Sequence, residues 1–288
     1  MNIALQRFRK SLLSFLAFFL FISTVHAYSV TELQAVKYNG QVFLTWKNPA
    51  QTNLQYNVYR SSTPITSSTQ LNGTTYLGFV RDNSAKNIRK STLYGGSHYY
   101  KITSTAAPLT SDRGLYVATC TASGNYYYAV TVVTLSNNQE DKSVINSSNS
   151  LVAPISESIA NPQPVLQFQG VENDGTLRYE YAQWGNNQSP NHYPAFNNCG
   201  SFAWNFTVFK TGNSTNKSIY VLFKDDDPFS VSGINICEDC NVIKLDDYLP
   251  NGSDSYWTGW NDSYNIYSST NAVPNSGIVK MYTQTRLK

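Results

Sequence analysis

Charge is scarce in this chain. Only 14% of its 288 residues are Asp, Glu, Lys or Arg, and histidine occurs three times. Glycine is never spaced as a nucleophile elbow requires: no two of the 16 glycines lie four positions apart, so G-x-S-x-G cannot occur. G-x-G-x-x-G and the P-loop are equally absent, which leaves nucleotide binding without a motif. The small cationic excess is local. Of 21 Lys and Arg, three (Arg7, Arg9 and Lys10) fall within the first 27 residues, which hold no acid, so 18 cations face 18 acids beyond. A neutral remainder without a basic face excludes an electrostatic footprint for nucleic acid.

Those three cations precede an apolar run from Leu12 to Ile22, followed by Val25-His26-Ala27. A charged start, a short apolar stretch and small residues at the cleavage positions are the pattern of a secretory signal peptide over 1–27, cut after Ala27. The run is shorter than the roughly 20 residues that a bilayer span needs. No later run is apolar enough to span a membrane either. The expected location is therefore outside the cytoplasm, secreted or periplasmic.

In such a setting the four cysteines, Cys120, Cys199, Cys237 and Cys240, are expected to pair. Cys237 and Cys240 are the candidate local disulfide. Neither His98 nor His192 has the spacing to complete a zinc site with them, so no metal ligands and no cofactor are assigned.

After the first segment, β-branched and aromatic runs alternate with Asn, Gly, Ser and Thr, which is the signature of a mainly β fold. Gln41 to Trp46 follows an Asn39-Gly40 turn and places Val42, Leu44 and Trp46 on one face. Leu54 to Arg60, Tyr99 to Ile102, Leu115 to Ala118 and Tyr126 to Val133 continue the series, and two packed antiparallel sheets are expected. Residues 135–163 are polar and carry Pro154 and Pro162, which reads as a linker. Beyond it, Val165 to Phe168, Leu177 to Tyr181, Phe202 to Phe209 and Ser218 to Phe223 read as strands of a second β-rich domain over 164–288. The continuously apolar Ile219 to Phe223 suits a strand covered on both faces.

Residues 28–134 resemble a fibronectin type III module. Trp46 matches that family's buried tryptophan, Tyr56-Asn57-Val58-Tyr59-Arg60 its third strand, and Tyr128-Ala129-Val130-Thr131-Val132 its Tyr-x-Val-x-Val strand. The resemblance implies an immunoglobulin-like sandwich in which Trp46 and Tyr128 are core anchors. The stretch between Tyr59 and Leu115 is longer than that family's minimum, so insertions are expected there. The second half resembles the amino-terminal part of a secreted bacterial α/β-hydrolase at Phe202 to Val208, Ser218 to Phe223, and Tyr256 to Asn261 with Val273 to Gly277. This resemblance implies a hydrolase ancestry in truncated or diverged form.

The hydrolase machinery itself is missing. No histidine follows His192, and Lys224-Asp225-Asp226-Asp227 stands where oxyanion donors are needed. No catalytic residue is therefore assigned. Two other chemistries remain open. Glu172, Glu180, Asp246 and Asp247 are carboxylates whose pairing in space would suit glycoside hydrolysis. Tyr256, Trp257 and Trp260, with Trp184 and Tyr193, are the candidate aromatic platform for sugar rings. Asp225 to Asp227 reads as a solvated acidic turn rather than a Ca²⁺ loop. The expected function is a secreted, non-catalytic accessory, adhesion or docking protein whose partner is polysaccharide or cell-surface material. The alternatives are a carbohydrate-binding module and an active hydrolase using unrecognised carboxylates.

Overall fold

The computed structural model describes residues 28–185, 200–212, 218–222, 227–232, 239–249, 252, 259–268 and 275–281. Residues 1–27, expected as a signal peptide, lie outside them. The chain is mainly β, as expected.

Strand β1 (Thr31–Tyr38) turns through Asn39 (φ 45°) and Gly40 (φ 77°) into β2 (Gln41–Lys47). Two successive positive φ angles make the tight hairpin turn that Asn-Gly favours. A Cβ on Gly40 would also lie 2.4 Å from the Ala160 carbonyl oxygen, so this position demands glycine twice over. β2 pairs on its other edge with β5 (Arg113–Thr119), completing a three-stranded antiparallel sheet. The opposing sheet orders β4 (Thr75–Arg81), β3 (Leu54–Ser61), β6 (Gly124–Thr134) and β7 (Gln139–Asp141). Between the sheets lie Val42, Leu44, Trp46, Tyr56, Val58, Tyr116, Tyr128 and Val130, all buried. Trp46 donates its indole N–H to Asn48 Oδ1 at 3.0 Å and packs on Tyr56, their centroids 5.4 Å apart. Space for the indole exists because position 114 is glycine, where a Cβ would lie 2.2 Å from the ring.

The interval expected as a linker differs from that reading. Within 135–163, β7 pairs with one end of β6 and β8 (Ile155–Glu157) with the other, and Ser150 bridges Ala129 between them. One edge of the sandwich is thus built from a strand interrupted near residues 142–149. The polar composition that suggests a linker belongs largely to that excursion, where Asn149 folds the chain back on itself through Ser143 and Ile145.

The long stretch between Tyr59 and Leu115 carries the expected insertions: a 3₁₀ turn (Ser68–Gly73) and helix α1 (Ile88–Tyr94). The Asn87 side chain caps α1 by accepting from Lys90 N–H at 3.0 Å, and Gly95 (φ 70°) ends it. Tyr99 to Ile102, expected as a strand, is mostly irregular: Tyr99 makes a single bridge to Lys86, and Tyr100 turns inward.

The second region is one five-stranded sheet in the order β12 (Ser218–Leu222), β13 (Cys240–Leu245), β11 (Phe202–Lys210), β10 (Leu177–Gly185) and β9 (Val165–Val171). Every pairing is antiparallel except β12 with β13. A two-residue ladder, β14 (Trp260–Asn261) with β15 (Val279–Lys280), stands apart from it. β12 is an edge strand, with Ile219 and Tyr220 exposed, so its apolar run is not covered on both faces. Among the described residues no helix follows α1, and none is long and apolar enough to cross a membrane.

The two regions share a core. On the outer face of the three-stranded sheet, Phe43, Leu115 and Val117 pack with Tyr100 against Val165, Ala182, Trp184 and Ala203 of the second sheet. Phe43 and Tyr100 each meet Trp184 edge to face with centroids 5.2 Å apart, a geometry worth about 0.5–1.5 kcal/mol per pair beyond area burial. Polar groups at the seam are matched: Gln41 donates to the Trp184 carbonyl at 3.0 Å, and Val117 N–H to Ser201 Oγ at 3.0 Å.

Candidate functional site

Where α1 and the segment after it meet the second sheet, the seam opens into a cavity of about 460 Å³. That volume falls in the range of small-ligand sites, roughly 300–1,000 Å³. The sandwich contributes Asn87, Lys90, His98, Tyr99 and Lys101. The sheet contributes Gln167, Phe168, Glu180, Tyr181 and Asn205, and Phe229 comes from the segment before β13.

Local structure fixes each wall. Asn87 is held twice, as the cap of α1 and as donor to Asn205 Oδ1 at 2.9 Å. The His98 N–H donates to Ser91 Oγ at 3.0 Å, tying the segment after α1 back to the helix. Gln167 clamps the main chain of Lys101, accepting from its N–H at 2.8 Å and donating to its carbonyl at 3.2 Å. The clamp leaves the Lys101 side chain outside the hydrogen bonding. Tyr181 stacks on Phe206, with centroids 5.1 Å apart.

The carboxylates at this seam are committed to cations. Glu180, almost completely buried, meets Lys90 Nζ at 2.6 Å and Arg178 Nε at 3.4 Å, and Arg178 reaches Glu172 at 2.8 Å. Phe168 lies beneath both cations, 5.2 Å from Lys90 and 4.7 Å from Arg178. Behind the cavity, Asn205 donates to Asp246 Oδ2 at 3.1 Å, and Arg89 lies 3.4 Å from Oδ1. Burial pushes the Asp246 carboxyl up to about 6, with Arg89 and the Asn205 hydrogen bond holding it from rising further. Burial, then the field of Asp246, keeps the Tyr100 hydroxyl above the usual phenol range. A second, narrower space of about 60 Å³ lies on the other side of Asn205, lined by Arg81, Arg89 and Tyr248.

The candidate residues from the sequence divide as follows. Of the carboxylates, Glu172 and Glu180 come together, around Arg178 rather than around an open space. Asp246 sits apart from that group behind Asn205, and Asp247 adds its negative field beside Asp246. Of the aromatic platform, Tyr256, Trp257 and Tyr193 lie outside the described residues. Trp184 is core, not surface, because both of its edges are taken by Phe43 and Tyr100. Trp260 is half-buried and packs edge to face on Tyr264, 5.2 Å between centroids, beside Trp204 and Leu249. Cys237 also lies outside. Cys240 is buried, and no disulfide has both halves among the described residues. Cys120 is a buried free thiol, pushed up to about 11 by burial and by Glu157. Asp225 and Asp226 lie outside, while Asp227 accepts from the Tyr94 hydroxyl at 2.9 Å. Among the described residues no group of three His, Cys, Asp or Glu side chains is placed to hold a metal.

Sequence reasoning missed the sandwich's share of this site. Asn87, Lys90, His98 and Lys101 sit in an insertion, and its unusual length was the one signal that pointed to them. Compared with models of known protein families the chain matches none, and no curated protein sequence matches it either.

Proposed function

We propose that this chain is an exported, non-catalytic docking protein that holds extracellular carbohydrate in the seam cavity between its two β regions. The observation that carries this reading is the state of the cavity's carboxylate. Glu180 meets Lys90 at 2.6 Å and lies 3.4 Å from Arg178, so the described lining offers aromatic rings, amides and cations but no second carboxylate. Glycoside hydrolysis needs two carboxyl groups facing a scissile bond about 5–9.5 Å apart, and no such pair is found among the described residues that line the opening. Rings with amide neighbours suit a polyhydroxylated ligand, whose faces are apolar and whose edges form hydrogen bonds.

The strand orders support the ancestry read from the sequence. A three-stranded sheet β1-β2-β5 facing β4-β3-β6-β7 is the arrangement that a fibronectin type III module implies. The antiparallel run ending in one parallel pair, β13 with β12, fits an open sheet of hydrolase descent better than a closed sandwich. Export follows from residues 1–27, and protein recovered outside the cell should begin at Tyr28.

The test is cosedimentation of the intact chain with insoluble cell-surface polysaccharide, alongside esterase and glycosidase assays. Binding without turnover is expected. Turnover that disappears in Glu180→Gln or Asp246→Asn would overturn the proposal in favour of an active hydrolase.

A further inference from the structure

The charges around the seam cavity narrow the ligand. Glu180 is the cavity's one carboxylate among the described residues, and it is balanced by Lys90 and Arg178, which also serves Glu172. Those four groups sum to zero. Two further basic side chains, His98 and Lys101, line the same space, and neither takes part in an ion pair among the described residues. Their main chain is fixed by Ser91 and by the Gln167 clamp, so their backbones are held in place while their basic side chains stay outside any ion pair among the described residues. A cationic ligand would meet repulsion here. A neutral one would leave a lysine without a partner in a half-buried wall.

We propose that the seam cavity takes an acidic sugar residue, a ring bearing a carboxylate within a polysaccharide, with Lys101 and His98 receiving the carboxylate and Tyr99 and Tyr181 flanking the ring. This rests on the docking reading above and adds the charge of the ligand to it. The cavity volume of about 460 Å³ accommodates a sugar ring with parts of its neighbours. An ammonium facing a carboxylate makes the stronger, charge-assisted class of hydrogen bond, and an imidazole N–H can donate beside it.

The experiment compares an oligogalacturonate with the same oligosaccharide after reduction of its carboxylates, titrated calorimetrically into the intact chain. The acidic form should bind at least about ten-fold more tightly, the size of one charge-assisted hydrogen bond. Lys101→Ala should lose that preference, its affinities for the acidic and reduced forms coming within about two-fold of each other. The substitution spares the fold, because Gln167 holds the main chain at 101 and not the side chain. Lys210→Ala is the control. It removes the same charge from a lysine that lies over Tyr179, outside the cavity lining, and should change affinity by less than about two-fold. Equal binding of the acidic and reduced forms would overturn the acidic assignment and leave the docking reading standing. Equal losses in Lys101→Ala and Lys210→Ala would overturn it too, since the effect would then be overall charge. Binding of neither form would remove both proposals.

Discussion

The sandwich and the second sheet use their few acidic residues differently. In the sandwich, buried or half-buried carboxylates receive tyrosine hydroxyls: Tyr56 donates to Asp82 at 3.0 Å, Tyr59 to Glu140 at 2.7 Å and Tyr128 to Glu157 at 2.5 Å. Each phenol lies above its usual range, because burial and the neighbouring carboxylate both disfavour the phenolate. These pairs let large rings fill a core while their polar tips stay satisfied. In the second sheet, Glu172, Glu180 and Asp246 face arginine and lysine instead. Buried ion pairs are weak sources of stability, since desolvation offsets much of the attraction. The buried sandwich carboxylates therefore complete its packing, Glu157 meeting Arg60 at 3.1 Å as well as Tyr128, whereas the second sheet uses its own to fix charge positions beside a cavity.

That contrast is sharpest at Trp184, where the two regions join. Trp184→Ala should cost about 3–5 kcal/mol, the usual range for a buried aromatic. Chemical unfolding should show both regions weakened together, because the ring packs on Phe43 and Tyr100 of the sandwich. Weakening confined to the second sheet would break the comparison.

The next largest effect is a pH dependence of opposite sign in the two regions. Asp246 has a folded pKa raised from 3.8 to about 6, so between those values the folded state holds more protons than the unfolded one. Its contribution is full below about pH 4 and is lost as pH rises through 6, by about 2–3 kcal/mol. Stability curves of Asp246→Asn should lack that decline. Glu140 behaves the other way. Burial raises its pKa, but hydrogen bonds from Thr131, Tyr59 and Asn57 outweigh burial and hold it below 4.5. Its contribution is present above the usual Glu value and is lost as pH falls through the depressed one. Glu140→Gln should cost about 1–2 kcal/mol near neutral pH and progressively less in acid, measured by urea denaturation.

A smaller effect concerns the sulfurs. Cys120, with its thiol pushed up to about 11 and its side chain buried, should resist alkylation in the folded chain. We propose Cys237 as the partner of Cys240, and peptide mapping without reduction should recover the two together. Recovery of Cys240 with Cys199 would instead place the bridge across a long loop.

Alternation made the sandwich interior legible. Val42, Leu44 and Trp46 on one face of β2 are buried as expected, and Tyr128 opens a run of alternating core residues in β6. What alternation concealed was the second use of the same strands. Phe43, Leu115 and Val117 occupy positions that face water in a lone sandwich, and their apolar character was the unused signal that another layer covers them. Tyr99 to Ile102 misled because two adjacent tyrosines and an isoleucine suit a strand equally well. Tyr100 was instead drawn into the seam, where Trp184 gives its ring an edge-to-face partner. The run at Ile219 misled for a related reason. A period-free apolar stretch does not distinguish a central strand from an edge, and β12 pairs on one side only among the described residues. The candidate site was least legible, because Asn87 meets Asn205 and Lys90 meets Glu180 across separations of 118 and 90 residues. Nothing local in either partner announces the other.

The shared core makes the two regions one cooperative unit, and the cavity lies at the seam that joins them. Native-state hydrogen exchange tests this most directly, by comparing the amides of β2 and β5 with those of β10 and β11 in the intact chain. The most protected amides of both pairs should open with the same free energy, within about 1 kcal/mol. Opening of β10 and β11 several kcal/mol below β2 and β5, with the sandwich still protected, would contradict it.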